Sequence, residues 1–383
     1  MESVRLGVIG IGNMGRYHAD YLSQGKVPRC ALAAVATSVP DKASKLKNVH
    51  VFSDGEALIR SGQVDAVLIC TPHYSHTSLG ILALENGLHV MVEKPISVHK
   101  ADCERLINAA EKSGKLFGAM FQLRTEPRYQ KIKRLIDSGE LGEIVRVNWI
   151  ITDWFRTEAY YASGGWRATW RGEGGGALLN QCPHQIDLLH WLLGKPSRIR
   201  GFCQFGRFHN IEVEDNVTVF MEFPTGATGL FITSTGESPG TNRLEIAGDR
   251  GKLVLENGKL TFTRNEVPMR AFSKTAKTGF ARPELWHIDI PLENTAAQHA
   301  TIMQNFTEAI LDGAPLLVPG GEGIHSVEFA NAALYSSWTD QTIDLPLDGA
   351  AYEKALQQKI AESKFEKKVV ATTTEDFAKS FTR

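Results

Sequence analysis

Several things are scarce in this 383-residue chain, and each scarcity removes a class of protein. It has no excess of charge of one sign. With 42 Lys and Arg against 43 Asp and Glu, the formal net charge is −1, so neither a nucleic acid nor an anionic membrane is expected as the main partner. No apolar run approaches the roughly 20 residues that a membrane-spanning helix needs. The five cysteines (Cys30, Cys70, Cys103, Cys182, Cys203) are odd in number and scattered, with neither C-x-x-C spacing nor a disulfide framework, which fits a reducing compartment. Met1-Glu2-Ser3 leads straight into an apolar run with none of the regions of a secretory leader, and a cytoplasmic protein is the expectation. Internal repeats and low-complexity tracts are missing too. What is left is ordinary globular composition, 43% hydrophobic and 22% charged, in a chain longer than one core usually supports; two domains are expected.

The most informative segment present is Gly10-Ile11-Gly12-Asn13-Met14-Gly15, directly after the apolar run Leu6–Ile9 and before a helical stretch, Met14–Leu22. In a strand–turn–helix context a G-x-G-x-x-G run has mechanical work to do. One glycine permits the tight turn, one lets a pyrophosphate approach the backbone, and one lets helix and strand pack closely. The diphosphate then rests on the helix N-terminus, where unpaired N–H groups favour anions.

Alternation of strand and helix continues. Ala31–Ala36, Val64–Cys70, His89–Glu93 and Leu116–Phe121 read as buried parallel strands, and Ser78–Asn86 and Ala101–Lys112 as helices stopped by Gly87 and Gly114. This predicts a doubly wound parallel α/β sheet over residues 1–123. After helix Tyr129–Ile136 the pattern changes. Ile144–Ile150 alternates apolar and polar residues, and Ile199–Phe205, Asn216–Phe223, Gly229–Thr235, Asn242–Gly248 and Lys252–Glu256 follow as strands. Residues 124–383 should therefore form an α+β domain with a large, mostly antiparallel, open-faced sheet. Helices return at Ala297–Leu311, Gly323–Trp338 and Ala350–Phe365, and the polar Lys367–Arg383 is either a docking arm or a frayed end.

Two further motifs carry chemistry. Glu93-Lys94-Pro95 closes a parallel strand, where ligands of such sheets bind, so Lys94 is expected beside the substrate hydroxyl, stabilising alkoxide character. Pro95 restricts the backbone of Lys94. The second motif is Gly174-Gly175-Gly176, followed by Asn180, Pro183 and His184. Pro183 suits the first residue of a helix. His184 then lies in the first turn, where the positive helix end disfavours imidazolium, leaving a neutral ring able to accept a proton. The three glycines permit close backbone approach to a substrate or nicotinamide. Asp187 and His190 leave the face of His184, so structural roles are expected for them and no metal site.

With Cys70-Thr71-Pro72-His73-Tyr74-Ser75-His76 added, these motifs resemble the glucose–fructose oxidoreductase / inositol dehydrogenase / rhizopine-catabolism (Gfo/Idh/MocA) family over roughly residues 4–345. The resemblance implies a Rossmann domain, a nicotinamide cofactor, sugar or cyclitol substrates, and a sheet that builds homodimers or homotetramers. It implies a catalytic set of Lys94, Asn180 and His184, and cofactor contacts from Gly10, Gly12, Asn13, Met14, Gly15, Thr71, Pro72, His73, His76, Glu93, Lys94 and Arg124. Two positions depart from the family pattern: Asn180 replaces an aspartate and Cys182 a glycine. Asn cannot carry a proton or a negative charge, so more of the proton transfer falls to His184, with Lys94 assisting.

NAD and NADP both stay open, with a slight lean to NAD. Thr37 and Ser38 at the end of the second strand are not acidic, and Lys42 is near enough in sequence to accept a 2′-phosphate, but no arginine accompanies it. Between Asp153 and Arg167, Trp154, Arg156, Tyr160 and Arg167 are the expected substrate residues, joined by Lys94, Asn180 and His184, because aromatic faces pack on sugar C–H patches and charged groups bind hydroxyls. The expected reaction is hydride transfer at a secondary hydroxyl. Its rivals are an NAD-retaining glycosidase acting by transient oxidation and elimination, and a non-catalytic NAD(P)-sensing regulator.

Overall fold

A computed structural model describes residues 2–293 and 298–370. Its first part alternates as the sequence predicts. β1 (Val4–Ile9), α1 (Asn13–Ser23), β2 (Cys30–Ala36), β3 (His50–Phe52), α2 (Gly55–Arg60), β4 (Ala66–Ile69), α3 (Tyr74–Glu85), β5 (His89–Val92), α4 (Lys100–Ser113) and β6 (Phe117–Ala119) follow in order. The six strands form a sheet of order β3-β2-β1-β4-β5-β6, every pair parallel. Val67, Leu68 and Ile69 have no exposed surface, as expected of a strand covered on both faces. The strand order reverses between β1 and β4, and the crevice beyond their carboxyl ends is where such sheets bind ligands.

The second part runs α5 (Pro127–Asp137), β7 (Ile144–Ile151), α6 (Glu158–Ala162), α7 (Pro183–Leu193), β8 (Arg198–Phe205), β9 (Glu214–Glu222), β10 (Thr228–Ser234), β11 (Asn242–Gly248), β12 (Gly251–Glu256), β13 (Lys259–Asn265), α8 (Met269–Thr275), β14 (Leu285–Ile290), α9 (His299–Asp312), α10 (Ile324–Thr339), β15 (Ile343–Asp344) and α11 (Gly349–Glu362). Nine strands make one sheet, β14-β13-β12-β11-β7-β10-β9-β8-β15, antiparallel except where β7 meets β10. Val147, Trp149, Val219, Phe231 and Leu253 point to the covered face and are buried. α10 lies against that face so closely that a Cβ on Gly201 would sit 2.3 Å from the carbonyl of Ala333. The other face is open, with Phe202, Phe220 and Leu230 exposed by 56%, 38% and 36%.

Having built the second sheet, the chain returns to the first core. Ile302, Met303 and Phe306 of α9, with Val318 and Val327, pack among the residues of the parallel sheet. Several short elements are absent from the sequence-based reading. β3 is three residues long and mostly exposed, and β14 is exposed along most of its length, so neither leaves a burial pattern. The expected strand Leu116–Phe121 contracts to β6, and the expected helix Ala350–Phe365 ends at Glu362. Ala297 and the segment 371–383 lie outside the described residues.

Candidate active site

The three glycines of the first glycine-rich turn have different surroundings. Gly10 has φ +93°, and a Cβ there would lie 2.9 Å from the Cys70 carbonyl oxygen. A Cβ on Gly15 would lie 1.8 Å from the carbonyl oxygen of Gly10, so α1 packs on β1 with no room for a side chain. At Gly12 a Cβ would meet nothing within 4 Å. The space beside Gly12, at the N-terminus of the 11-residue α1 with Asn13 and Met14 in its first turn, fits a dinucleotide pyrophosphate.

Behind this turn, α1 reaches under β5. His18 Nε2 lies 2.7 Å from Glu93 Oε1, and His18 Nδ1 lies 2.7 Å from the Tyr21 hydroxyl. Burial pushes the Glu93 carboxyl up, but the bond and charge of His18 more than reverse this and hold it at about 2. The other Glu93 oxygen accepts from Lys94 N–H at 3.1 Å. Across a cis Lys94–Pro95 peptide the chain turns into the cleft, and Lys94 Nζ donates to the Asn180 carbonyl at 2.8 Å. Burial lowers the Lys94 pKa; Glu93 and Glu173 resist, and Arg167 and Arg156 push it further down.

His184 reaches the cleft from the second domain. It occupies the first turn of α7, which starts at Pro183 as expected. The ring stands edge-on to Phe121 at 5.7 Å, with the Gln122 amide nitrogen 3.4 Å from Nε2. Nδ1 is buried with no partner among the described residues. Its pKa falls well below the ordinary imidazole value, first from burial and then from the Lys94 charge. Burial, rather than the helix end, is the main influence that disfavours the charged ring.

The three glycines before α7 require a correction. The close approach they permit is to the protein's own chain. A Cβ on Gly174 would meet Val98 at 2.1 Å, and one on Gly176 the Glu214 carbonyl oxygen at 2.1 Å. Gly176 N–H and Leu178 N–H both donate to the Glu214 carboxylate, at 2.8 and 2.9 Å. Asn180, at the end of this turn, donates its side-chain amide to Glu173 Oε1, and Ala168 N–H donates to Glu173 Oε2. A carboxylate is thus one hydrogen bond away from the position where the family carries an aspartate. Glu173 is 1% exposed, and burial raises its pKa. Cys182, the second departure, is buried and donates to the Ala177 carbonyl.

The pocket segment gathers as expected. Arg156 lies 5.0 Å from the ring centres of both Trp154 and Tyr160, and Arg167 lies 4.5 Å from Tyr160 and 4.8 Å from Trp166. Tyr160 Oη accepts from Arg167 at 2.7 Å and from the Gln181 amide at 3.0 Å. The polar C-terminal stretch docks here: Lys367 Nζ donates to the carbonyls of Tyr161 and Arg167, and Val370 N–H donates to Ala162 at 3.2 Å.

The other expected cofactor residues divide. Thr71 and Pro72 follow β4 into the crevice. His73 is buried, with Nδ1 3.2 Å from the Glu173 carbonyl and its ring edge-on to Trp166 at 5.4 Å, joining the two domains. His76 acts as a staple, its ring nitrogens each 2.8 Å from a carbonyl, of Thr71 and of Pro95. Thr37 caps its own turn by accepting from Val39 N–H at 3.2 Å; Ser38 follows it, and Lys42 lines a small groove with Arg16 and Lys45. Arg124 is committed elsewhere: it grips Asp187 bidentately at 2.8 and 2.6 Å and also holds Glu322. Asp187 is thereby structural, as is His190, whose Nδ1 lies 2.7 Å from the Ile186 carbonyl. Gln122, Trp166 and Glu173 are the site residues that sequence reasoning passed over. Glu173 sits in Arg171-Gly172-Glu173, which reads as a polar turn and gives no signal.

A parallel sheet with a pyrophosphate turn, and with a lysine and a neutral histidine converging beyond its strand ends, defines a dinucleotide-dependent oxidoreductase. Residues 4–121 match the oxidoreductase family with NAD-binding Rossmann fold, and residues 129–254 match the GFO/IDH/MocA C-terminal domain; the chain belongs to the Gfo/Idh/MocA family. Among its relatives, myo-inositol 2-dehydrogenase of Thermotoga maritima is 25% identical over 272 residues, covering 67% of this chain and 77% of the relative. Levoglucosan dehydrogenase of Pseudarthrobacter phenanthrenivorans is 24% identical over 394 residues, covering 90% and 99%. The crystal structure of the WlbA dehydrogenase from Chromobacterium violaceum with NADH and UDP-GlcNAcA superimposes with a TM-score of 0.78 at 26% identity, covering 91% of this chain and 97% of that one.

Proposed function

We propose that this protein transfers a hydride reversibly between NAD and a secondary hydroxyl-bearing carbon of a sugar or cyclitol. The observation that carries the reading is the convergence of Lys94, pinned to the Asn180 carbonyl, and His184, buried with an unpartnered nitrogen, at the carboxyl end of β5. When bound, NAD supplies the hydride acceptor. The Gly10–Gly15 turn would hold its pyrophosphate, and Thr71, Pro72 and His73 would border it in the crevice. A substrate hydroxyl between Lys94 and His184 gives its proton to the neutral imidazole. The ammonium of Lys94 stabilises the negative charge left on oxygen, in a water-poor cleft where that charge is costly otherwise. Asn180 positions Lys94 through its backbone and the sugar through its side chain. Trp154, Tyr160, Arg156 and Arg167 form the sugar pocket. The inositol and levoglucosan dehydrogenases among the relatives support the substrate class.

The same reading takes residues 1–123 as the cofactor domain and 124–383 as the substrate domain, with α9 packed back on the first. We propose a homodimer or homotetramer formed through the open sheet face, where Phe202, Phe220 and Leu230 stand exposed. Among the described residues no helix is long and apolar enough to cross a membrane. The five free thiols support a cytoplasmic location. The test is NADH formation, followed by absorbance, over a panel of cyclitols and aldoses. Lys94→Ala and His184→Ala should each lower kcat by about 1,000-fold with NADH still bound; undiminished turnover in either variant sinks the mechanism.

A further inference from the structure

We infer that the substrate carries an anionic oxygen group, a carboxylate or a phosphate, gripped by Arg156 and Arg167. The inference rests on the dehydrogenase reading and adds the charge of its substrate. Arg124, the buried arginine beside the cleft, spends its guanidinium on Asp187 and Glu322. Arg156 and Arg167 are different. Among the described residues, neither has an Asp or Glu within ion-pair distance, and the only protein acceptors of their guanidinium groups are the Phe155 carbonyl for Arg156 and the Tyr160 hydroxyl for Arg167. The Nε of each is buried with no partner. Both are therefore partly withdrawn from water with no carboxylate in direct contact, which is costly unless a ligand supplies one.

They are also held in place. The two guanidinium groups share the Tyr160 ring, with Trp154 and Trp166 on their outer sides. Arg156 is fixed at its backbone, its N–H donating to Thr235 at 2.9 Å and its carbonyl 2.9 Å from His209 Nε2. Planar forks stacked on aromatic rings keep their edge donors free and aimed, the arrangement suited to bidentate capture of a carboxylate or phosphate. Glu173, the buried carboxylate whose charge acts on Lys94 and Arg167, has both oxygens taken by Asn180 and Ala168 and, among the described residues, forms no ion pair with either arginine.

The experiment uses the full-length protein loaded with NADH and titrates matched ligands by calorimetry: glucose and myo-inositol as neutral members, glucuronate and gluconate as carboxylates, glucose 6-phosphate as the phosphate. At least one anionic ligand should bind about tenfold or more tighter than its neutral counterpart, and Arg156→Ala and Arg167→Ala should each remove that advantage. Preference for the phosphate over both carboxylates assigns the group to phosphate, and the reverse to carboxylate. Equal affinity for neutral and anionic ligands, no binding by any anionic ligand, or a preference that survives both substitutions overturns the inference. NADH affinity, read in the same samples, separates the two failures: if NADH itself does not bind, the dehydrogenase reading falls; if it binds and charge makes no difference, only the anion pocket does.

Discussion

Gly10–Gly15 and Gly174–Gly176 are both glycine-rich turns leading into a helix, one in each domain, and on the page of the sequence they look alike. In space they differ. At Gly12 an added Cβ meets open space, while at Gly176 it meets the backbone oxygen of Glu214 at 2.1 Å. The first turn is open at Gly12; the second is filled by the protein, and its glycines let the chain press against Val98 and the start of β9. A glycine run therefore reports close approach without saying what approaches. Only the flanks decide: a parallel strand and a long helix point to a phosphate, whereas a buried glutamate receiving two backbone N–H groups points to a structural knot.

The sharpest way to break this comparison is to add a methyl group to each turn. Gly176→Ala drives a Cβ to 2.1 Å from the Glu214 carbonyl oxygen, backbone that cannot yield. It should cost about 3 kcal/mol of folding stability, measured by urea unfolding. Gly12→Ala should leave that unfolding midpoint unchanged and weaken NADH binding about 100-fold, because the methyl occupies the space meant for the pyrophosphate. If Gly176→Ala folds normally but loses NADH, or Gly12→Ala unfolds, the assignment of the two turns is reversed.

Much of this was open to sequence reasoning because it depends on local pattern. The turn after β1, the buried runs of β4 and β5, and Pro183 at the head of α7 all follow from spacing and residue type. The rest depends on partners far along the chain. Arg124 looks available for a cofactor until Asp187, 63 residues away, is found holding it. The pKa of His184 is lowered first by the walls around it, which no helix-end argument contains. Trp166 reaches the cofactor side by standing against His73 across the domain boundary. Glu173 is the clearest case. Its role depends on folding back seven residues onto Asn180, and nothing in the composition of its neighbourhood announces this.

Glu173 also gives the next test, on the second turn. The negative charge of Glu173 holds up the pKa of Lys94, which burial otherwise lowers. In the proposed reaction Lys94 acts as the ammonium, so activity in the direction of alcohol oxidation should fall as pH rises through its pKa, on the alkaline side of the profile. Glu173→Gln removes the supporting charge, and the alkaline limb should move to lower pH, with kcat/KM at that limb down about tenfold. Asn180→Asp alone adds a second carboxylate beside Glu173 and should raise the pKa of the pair. The double variant Asn180→Asp, Glu173→Gln restores a single carboxylate and should return the limb towards its original position. A purely structural role for Glu173 predicts lower kcat with the limb unmoved in all three.

The smallest expected effect concerns the first turn and the ribose beyond it. A carboxylate at the end of β2 would reject a 2′-phosphate by repulsion. None stands there: Thr37 is engaged with Val39, and Arg16, Lys42 and Lys45 line one groove, three cations against the single carboxylate of Asp20. Arg16 is the arginine that the linear sequence around Lys42 lacks, brought in by the helix. NADH should therefore be favoured over NADPH by less than about tenfold, since rejecting charge is the main source of such selectivity and the groove here is basic. Lys42→Ala should widen the preference for NADH about threefold by removing one attraction for the phosphate, and Ser38→Asp should widen it more by adding repulsion. Equilibrium titration of both cofactors by their fluorescence decides it. If Ser38→Asp leaves the ratio where it was, the ribose lies away from the end of β2, and the first turn holds its dinucleotide in a different register from the one its glycines imply.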